Sequence, residues 1–191
     1  MNEKEIQKDS TTVFGFFTYL MTDFVLFAAL FAVYAVMRSG TFGGPEPQQI
    51  FNARFALIET LVLLSSSFTA GLALLAARKN SVKGTVTALA ATFALGTTFL
   101  WLEISEFARL AQQGAVPSRS AFLSAFFTLV GTHGVHVALG LLWLLALIIA
   151  IALRGLSRGN MRKLALFSLF WHFLDIIWIF IFTIVYLLGI L

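Results

Sequence analysis

Five apolar stretches, each long enough to cross a lipid bilayer, constrain the fold more than any other feature of the sequence. An α-helix of about 20 residues spans the hydrocarbon core, whereas an isolated strand would leave backbone groups unpaired in lipid. The chain of 191 residues is 59% hydrophobic and contains 21 Phe, more apolar surface than a soluble domain of this length can bury. The sequence therefore predicts an all-α integral membrane bundle of five transmembrane helices, over residues 13–37, 55–77, 85–110, 120–153 and 163–191.

The polar residues before the first apolar stretch divide the chain into two unequal parts. We predict a cytoplasmic tail over residues 1–12 and a single transmembrane domain over residues 13–191. The tail lacks the basic segment, short apolar core and cleavage site of a removable signal peptide. Five crossings place the tail and the second and fourth connections on one side, and these segments hold nine of the 13 Lys and Arg residues. The positive-inside rule then predicts a cytoplasmic N-terminus and a periplasmic C-terminus.

The composition excludes several classes of site. The chain has no cysteine, which excludes disulfides, iron–sulfur clusters, thiolate metal sites and cysteine catalysis. Its net charge is +4 and it has no long basic run, so nucleic acid is not a predicted partner. A small set of carboxyl and imidazole groups within the apolar stretches is left to carry any chemistry.

Two aspartates lie deep in otherwise apolar helices. Asp175 lies in the fifth predicted helix with His172 three residues before it, and Asp23 lies about halfway along the first. A buried carboxyl in lipid is costly unless it has a partner, so each position requires one. Both lie about 15 to 18 Å from the predicted cytoplasmic helix ends, which makes them candidates for one polar cluster. Each is interpreted either as a packing anchor, hydrogen-bonded across the bundle, or as a group that handles protons.

Two histidines lie close together in the fourth predicted helix. His133 and His136 are three residues apart and share a face. A row of polar or small residues recurs at every fourth position of this helix and favours close helix packing. The row consists of Ser124, Thr128, Thr132, His136 and Gly140. The histidine pair also suggests a metal or haem site, but His172 is the only other histidine, too few for a redox core. We therefore predict that the imidazoles hydrogen-bond to carboxyl groups such as Asp23 or Asp175.

Three glutamates lie near the predicted outer ends of the helices. Glu59 lies little more than one turn inside the second helix, so its carboxyl is predicted to reach water. Glu103 and Glu106, together with Trp101, are predicted to form a hydrated helix end with an interfacial tryptophan. A paired-carboxylate site at Glu103 and Glu106 is the alternative interpretation.

Several motifs in sequence order resemble subunit III of the haem–copper respiratory oxidases, over nearly the whole chain. These motifs are Phe14-Gly-Phe-Phe-Thr-Tyr-Leu-Met-Thr-Asp23, Glu103-Ile-Ser-Glu-Phe107, Gly131-Thr-His-Gly-Val-His136, and Phe170-Trp-His-Phe-Leu-Asp175 followed by Trp178. Many members have seven helices, and this chain resembles the five-helix form that lacks the first two. Its outer loop with Gly43, Gly44 and Pro45 and its segment 120–127 are most similar to subunit III of cytochrome bo type ubiquinol oxidases.

The resemblance implies a non-catalytic subunit of a proton-pumping terminal quinol oxidase in a bacterial inner membrane. In that family haems and copper lie in subunit I and subunit III binds none, so the only expected ligand of this chain is phospholipid. Subunit I is the expected main partner, beside other oxidase subunits and membrane lipids. The expected role is to support the assembly, stability and proton uptake of subunit I. The first common helix of the family often carries a carbodiimide-reactive glutamate, and Asp23 occupies that position.

Two other interpretations stay open. Five-helix relatives also accompany cytochrome c oxidases and nitric oxide reductases, and the sequence of this chain does not reveal the electron donor. The second interpretation is an independent proton or solute transporter that uses Asp23 as its carrier group. Transporters tend to show internal repeats or broken helices near a midplane site, and neither is visible in the sequence.

Overall fold

The fold is a bundle of five long helices. The computed structural model describes residues 3–41, 43–44 and 47–190. Within these ranges five helices are long and apolar enough to cross a membrane and no β-strand occurs, which confirms the predicted all-α bundle. In chain order the elements are α1 (Glu3–Met37), α2 (Pro47–Ile50), α3 (Ala53–Arg78), α4 (Val82–Gln112), a 3₁₀ turn (Pro117–Arg119), α5 (Ala121–Arg154), α6 (Arg158–Ile181), a π-helical segment (Phe182–Leu187) and α7 (Leu188–Ile190).

Polar caps set where the long helices begin. The Asn52 side chain accepts hydrogen bonds from the backbone N–H groups of the first turn of α3. Ser81, Ser120 and Ser157 cap α4, α5 and α6 in the same way. A capping oxygen satisfies backbone donors that have no partner inside the helix. The helices therefore start at these caps. Helices α3, α4 and α6 begin two, three and five residues before the predicted bounds, and α5 begins one residue after its predicted bound.

The two ends of the chain differ most from the predicted bounds. Helix α1 begins at Glu3, so most of the predicted tail over 1–12 is helical. Helix α6 begins at Arg158, where 163 was predicted, because Ser157 caps it. Met1, Asn2 and Leu191, which the predicted tail and last helix include, lie outside the described residues.

Four of the long helices pack as a ring, and α1 lies outside it. Helix α3 packs against α4, α4 against α5, α5 against α6 and α6 against α3, while α1 packs mainly on α5 and to a smaller extent on α6. We call the end where α4 finishes and α3 and α5 begin the Arg109 end. The opposite end, with the turn over residues 79–81, is called the Lys79 end. Residues near one end of different helices can thus meet inside the ring.

Two tryptophans of α6 hydrogen-bond to the neighbouring helix α3. The Trp171 Nε1–H donates to Ser66 Oγ at 2.9 Å, and the Trp178 Nε1–H donates to Thr60 Oγ1 at 3.0 Å. Both hydroxyls donate in turn to backbone carbonyls of α3. Apolar side chains gain little by leaving lipid for protein, so close packing and such hydrogen bonds are what hold membrane helices together.

Glycines on two helices make room for the Trp171 indole. A β-carbon at Gly96 of α4 would lie 2.9 Å from Trp171 Cζ2, and one at Gly140 of α5 would lie 2.9 Å from Trp171 Cζ3. Real β-carbons essentially never approach another heavy atom this closely. The Trp171 indole is rigid and buried, so it cannot move aside as the end of a flexible side chain would.

The predicted packing row on α5 packs only in part. Gly140 lies against Trp171 and His136 faces α1, as a packing row requires. Ser124 and Thr128 are exposed, and their hydroxyls donate to carbonyl groups of Pro117 and Ser124 instead of to another long helix. The predicted close helix packing is therefore wrong at these two positions of the row.

We predict that Gly140→Ala lowers the free energy of unfolding by about 1 to 3 kcal/mol, because the added methyl overpacks the Trp171 ring. Thermal unfolding of the detergent-purified protein, followed by circular dichroism, measures the change. The matched control is Gly71→Ala on α3, where an added β-carbon meets no atom within 4 Å. The control is expected to be as stable as the parent or more so. Equal stability of the two variants would contradict the role assigned to Gly140.

Candidate functional site

Three carboxyl groups lie buried inside the ring near the Arg109 end. The side chains of Glu59, Glu103 and Glu106 belong to residues that are 0%, 2% and 1% exposed. The predictions that Glu59 reaches water and that Glu103 and Glu106 form a hydrated helix end are therefore wrong. The reason is helix rotation: α3 and α4 turn these residues toward each other and toward α5 and α6, a choice that distance from a helix end does not reveal. We call these three residues the acid cluster.

Glu106 is the member of the acid cluster with protein partners. The Tyr186 hydroxyl donates to Glu106 Oε2 at 2.6 Å, and Arg109 Nη2 lies 3.4 Å from Glu106 Oε1. The Arg109 side chain is 42% exposed, so it connects the buried carboxyl to the surface. Tyr186 lies in the π-helical segment, a departure from α-helical periodicity of the kind that is frequent at functional sites.

Glu103 and Glu59 lack such partners. None of their four carboxyl oxygens makes a hydrogen bond to a described protein group. The Glu103 carboxyl lies on the backbone of α5 at Gly134, where a β-carbon would come within 2.7 Å of Oε1 and 3.0 Å of Oε2. Glu103 interacts electrostatically with Glu59 and with Glu106, so the three carboxyls form one interacting group.

His133 lies fully buried among aromatic rings. Its ring centroid is 5.2 Å from that of Trp178, 5.8 Å from that of Phe99 and 6.4 Å from that of Phe27. Neither ring nitrogen makes a hydrogen bond to a described group. The prediction that this imidazole hydrogen-bonds to a carboxyl is therefore wrong, because the helix turns it into the aromatic layer of the ring.

Asp23 and His136 form a second pair, between α1 and α5. His136 Nε2 lies 3.6 Å from Asp23 Oδ1, longer than a hydrogen bond. His136 Nδ1 lies 2.8 Å from the Thr132 carbonyl oxygen, which only accepts, so Nδ1 carries a hydrogen. The predicted hydrogen bond of His136 to a carboxyl is therefore not made, although Asp23 is its neighbour. The two groups attract each other when a further proton lies on the imidazole or on the carboxyl.

Asp175 has different neighbours. The groups that act on its carboxyl are the Ser67 hydroxyl of α3 and His172, one turn earlier on α6. Ser67 Oγ and Asp175 Oδ1 make no hydrogen bond to a described group. Asp23 faces α5 instead. The two aspartates therefore do not form the single cluster that was predicted. Asp23 faces α5, whereas Asp175 lies near α3, because similar depth does not fix the direction in which a helix points its side chains.

Two partners escaped the sequence reasoning. Tyr186 was not linked to Glu106, because the π-helical segment shifts its direction away from the α-helical wheel. Ser67 carried no signal beyond its place in a run of serines on α3. Among the described residues, no group of three or more His, Asp or Glu side chains is arranged to hold a metal ion.

Five spanning helices around buried carboxyl groups define a multi-pass membrane protein. The family described as cytochrome c oxidase subunit III matches residues 3–190. The chain belongs to this family.

Relatives cover most of the chain. It is 54% identical over 178 residues to cytochrome bo(3) ubiquinol oxidase subunit 3 of Pseudomonas aeruginosa, which covers 93% of this chain and 85% of that protein. It is 42% identical over 187 residues to quinol oxidase subunit 3 of Bacillus subtilis, with 98% and 92% covered. It is 45% identical over 175 residues to cytochrome c oxidase subunit 3 of a Bacillus species, with 92% and 84% covered. The resemblance inferred from the motifs is confirmed, and the chain is a multi-pass bacterial membrane protein.

Replacing Tyr186 with Phe is expected to lower the free energy of unfolding by about 1 to 3 kcal/mol, because Glu106 Oε2 loses its donor in a buried site. Denaturant unfolding of the purified protein in detergent measures this loss. Thr183→Val is the matched control, since the Thr183 hydroxyl lies in the same segment, is exposed and donates only to the Ile179 carbonyl. A Tyr186→Phe protein as stable as the control would mean that the bond is not formed in the protein.

Proposed function

We propose that this chain is the non-catalytic subunit III of a proton-pumping terminal quinol oxidase in a bacterial inner membrane. The observation that carries the proposal is the 54% identity to a cytochrome bo(3) ubiquinol oxidase subunit 3 over 93% of the chain. The complex oxidises quinol and reduces oxygen to water, and the haems and copper that do so lie in subunit I. This chain supports the assembly, stability and proton uptake of subunit I.

The proposed placement in the membrane follows from the basic residues. The Lys79 end, which carries the turns after α3 and α5, faces the cytoplasm, and the Arg109 end faces the periplasm. The concentration of Lys and Arg at the predicted cytoplasmic side supports this orientation. Subunit I is the proposed main contact, and exposed apolar side chains along α1, such as Phe14, Phe24 and Val36, suit contact with lipid or with apolar helices of a partner.

A second candidate function is subunit III of a cytochrome c oxidase. The 45% identity to a cytochrome c oxidase subunit 3 favours it, since this value is slightly above the 42% identity to the quinol oxidase subunit 3 of Bacillus subtilis. It stays below the 54% identity to the cytochrome bo(3) ubiquinol oxidase subunit 3. Both candidates give this chain the same supporting role, and they differ in the donor that the rest of the complex accepts.

Purification of the intact complex through a tag on this chain tests the proposed function. We expect haem-containing subunit I to copurify and oxygen consumption to be supported by a ubiquinol analogue but not by reduced cytochrome c. Oxygen consumption with reduced cytochrome c alone would assign the chain to the second candidate. Failure of any haem protein to copurify would overturn both.

The Asp23 and His136 pair is the proposed functional element of this role. A carboxyl and an imidazole 3.6 Å apart between α1 and α5 are placed to hold α1 against the ring and, in this proposal, to exchange a proton.

We predict that Asp23→Asn and His136→Ala, tested in the whole complex, shorten the period of sustained turnover, since neither variant can share the proton. Oxygen consumption followed to inactivation measures this period, and haem absorbance of the purified complex reports assembly. Thr128→Val is the matched control, because this exposed hydroxyl of α5 donates only to its own helix. Unchanged assembly and unchanged sustained turnover in both variants would exclude a functional role for the pair.

A further inference from the structure

The acid cluster holds more carboxyl groups than nearby positive charges could neutralise if all of them were ionised. Three carboxyl groups interact with one another inside the ring. Among the described residues Arg109 is the one guanidinium that forms an ion pair with the cluster, at Glu106, and its charge also acts on Glu59. Transferring an ionised carboxylate out of water costs several kcal/mol unless a close opposite charge compensates it. Carboxylates that cannot all ionise share protons and release them in coupled steps. The cluster therefore has a physical reason to hold protons.

The unpartnered oxygens are a separate observation. Glu59 and Glu103 are buried, and none of their oxygens is hydrogen-bonded to a described protein group. Leaving a buried polar atom without a partner costs about 1 to 3 kcal/mol. Proteins satisfy such atoms with internal water that makes two to four hydrogen bonds. Oxygens on two helices that face a common interior meet this requirement.

The cluster reaches the surface at one end of the bundle. Glu106 lies six residues from the end of α4, or about 9 Å at the helical rise. A groove of about 240 Å³ opens there beside it. The groove is lined by Asn52, Phe55, Ser105, Glu106 and Arg109. A proton can thus pass between water and Glu106 beside the partly exposed Arg109.

Toward the Lys79 end the cluster meets a packed apolar layer. Leu63 lies one turn beyond Glu59 on α3, and Phe99 lies one turn beyond Glu103 on α4, and both are buried. The Phe99 ring packs edge-on against Trp178 with ring centroids 4.7 Å apart. The polar groups in this layer are the Trp178 indole N–H, which is already bonded to Thr60, and the buried His133 imidazole. Neither nitrogen of that imidazole has a hydrogen-bond partner among the described groups to which it could pass a proton.

We propose that Glu59, Glu103 and Glu106 form a shared, hydrated proton-binding site that exchanges protons with water only at the Arg109 end of the bundle. Glu106 is the entry group: a carboxylate oxygen takes a proton from water in the groove and passes it to the other two carboxyls through bound water. Release follows the same route in reverse. The site is a reservoir instead of a channel, and it does not depend on which electron donor the complex uses.

The groups that face the site come from four elements. Helix α3 provides Glu59, α4 provides Glu103, Glu106 and Arg109, and the π-helical segment provides Tyr186. Helix α5 presents the backbone at Gly134, next to the buried His133. Gly134 leaves the space that the Glu103 carboxyl occupies, so the site depends on a position where no side chain fits.

Infrared difference spectroscopy of the intact complex during a pH change tests the proposal, because protonated carboxyls absorb apart from carboxylates. We expect pH-dependent carboxyl signals that are reduced by each of Glu59→Gln, Glu103→Gln and Glu106→Gln. Each substitution removes one repelling charge, so it should also shift the midpoint of the remaining signals to lower pH by about one unit. Glutamine keeps the shape of the side chain, and haem absorbance reports whether each complex is assembled.

Asp175→Asn is the matched control, since it removes a buried carboxyl that interacts with Ser67 and His172 instead. The signals of the acid cluster and their midpoints should persist in this variant. Uncoupled signals, or signals that none of the three Glu→Gln variants alters, would overturn the proposal. A titration that shifts with the concentration of Na⁺ or Ca²⁺ would also overturn it, because the cluster would then be a cation site.

Oriented vesicles test the one-sided access. The chain has no native cysteine, so Ser118→Cys, at an exposed position of the Arg109 end, reports by impermeant labelling which end faces outward. We expect the cluster to respond to a pH change on the Ser118 side and not to one on the opposite side. A response to the opposite side would show a path through the bundle and would overturn the reservoir.

Discussion

Two indole hydrogen bonds between α6 and α3 are the interaction on which the rest of the bundle depends. Trp171 and Trp178 lie two turns apart on α6 and donate to Ser66 and Thr60, so they fix both the rotation and the vertical position of one helix against the other. In water, burial of apolar surface would provide much of this force. In lipid it does not, so close packing and specific hydrogen bonds carry it. Gly96 and Gly140 let the adjoining helices approach the Trp171 ring.

The positions of the polar groups follow from the packing of the four helices α3 to α6 as a ring. Once α3 and α6 are fixed, α4 and α5 close the ring, and the acid cluster is enclosed between them near the Arg109 end. Helix α1 stays outside, and Asp23 therefore pairs with His136 at the outer face of α5 instead of joining the cluster. The chain thus keeps its ionisable groups in separate sites, each with its own degree of access to water. This separation is compatible with the role in proton uptake proposed above.

Membership in the family and the choice of electron donor are different questions. The family match covers residues 3–190, and it shows what kind of protein the chain is. Relatives named as quinol oxidase subunits are 42% to 54% identical to this chain, and one named as a cytochrome c oxidase subunit is 45% identical, within the same range. A supporting subunit that is compatible with both names need not contact the donor, so its sequence has little reason to encode which donor is used.

The sequence by itself determined the number of spans, the absence of cysteine chemistry and the family. These follow from the length and apolar character of the stretches and from motifs such as those around His133, His136 and Asp175, all of which are local.

Only the tertiary structure decided which polar groups are buried and which of them meet. Distance from a helix end predicted water for Glu59, Glu103 and Glu106, yet helix rotation buries all three. The π-helical segment directs Tyr186 to Glu106, a direction that a regular helical wheel does not give. The physical reason is common to these cases: a side chain's environment depends on the rotation and neighbours of its helix. Contacts between distant parts of the chain set both.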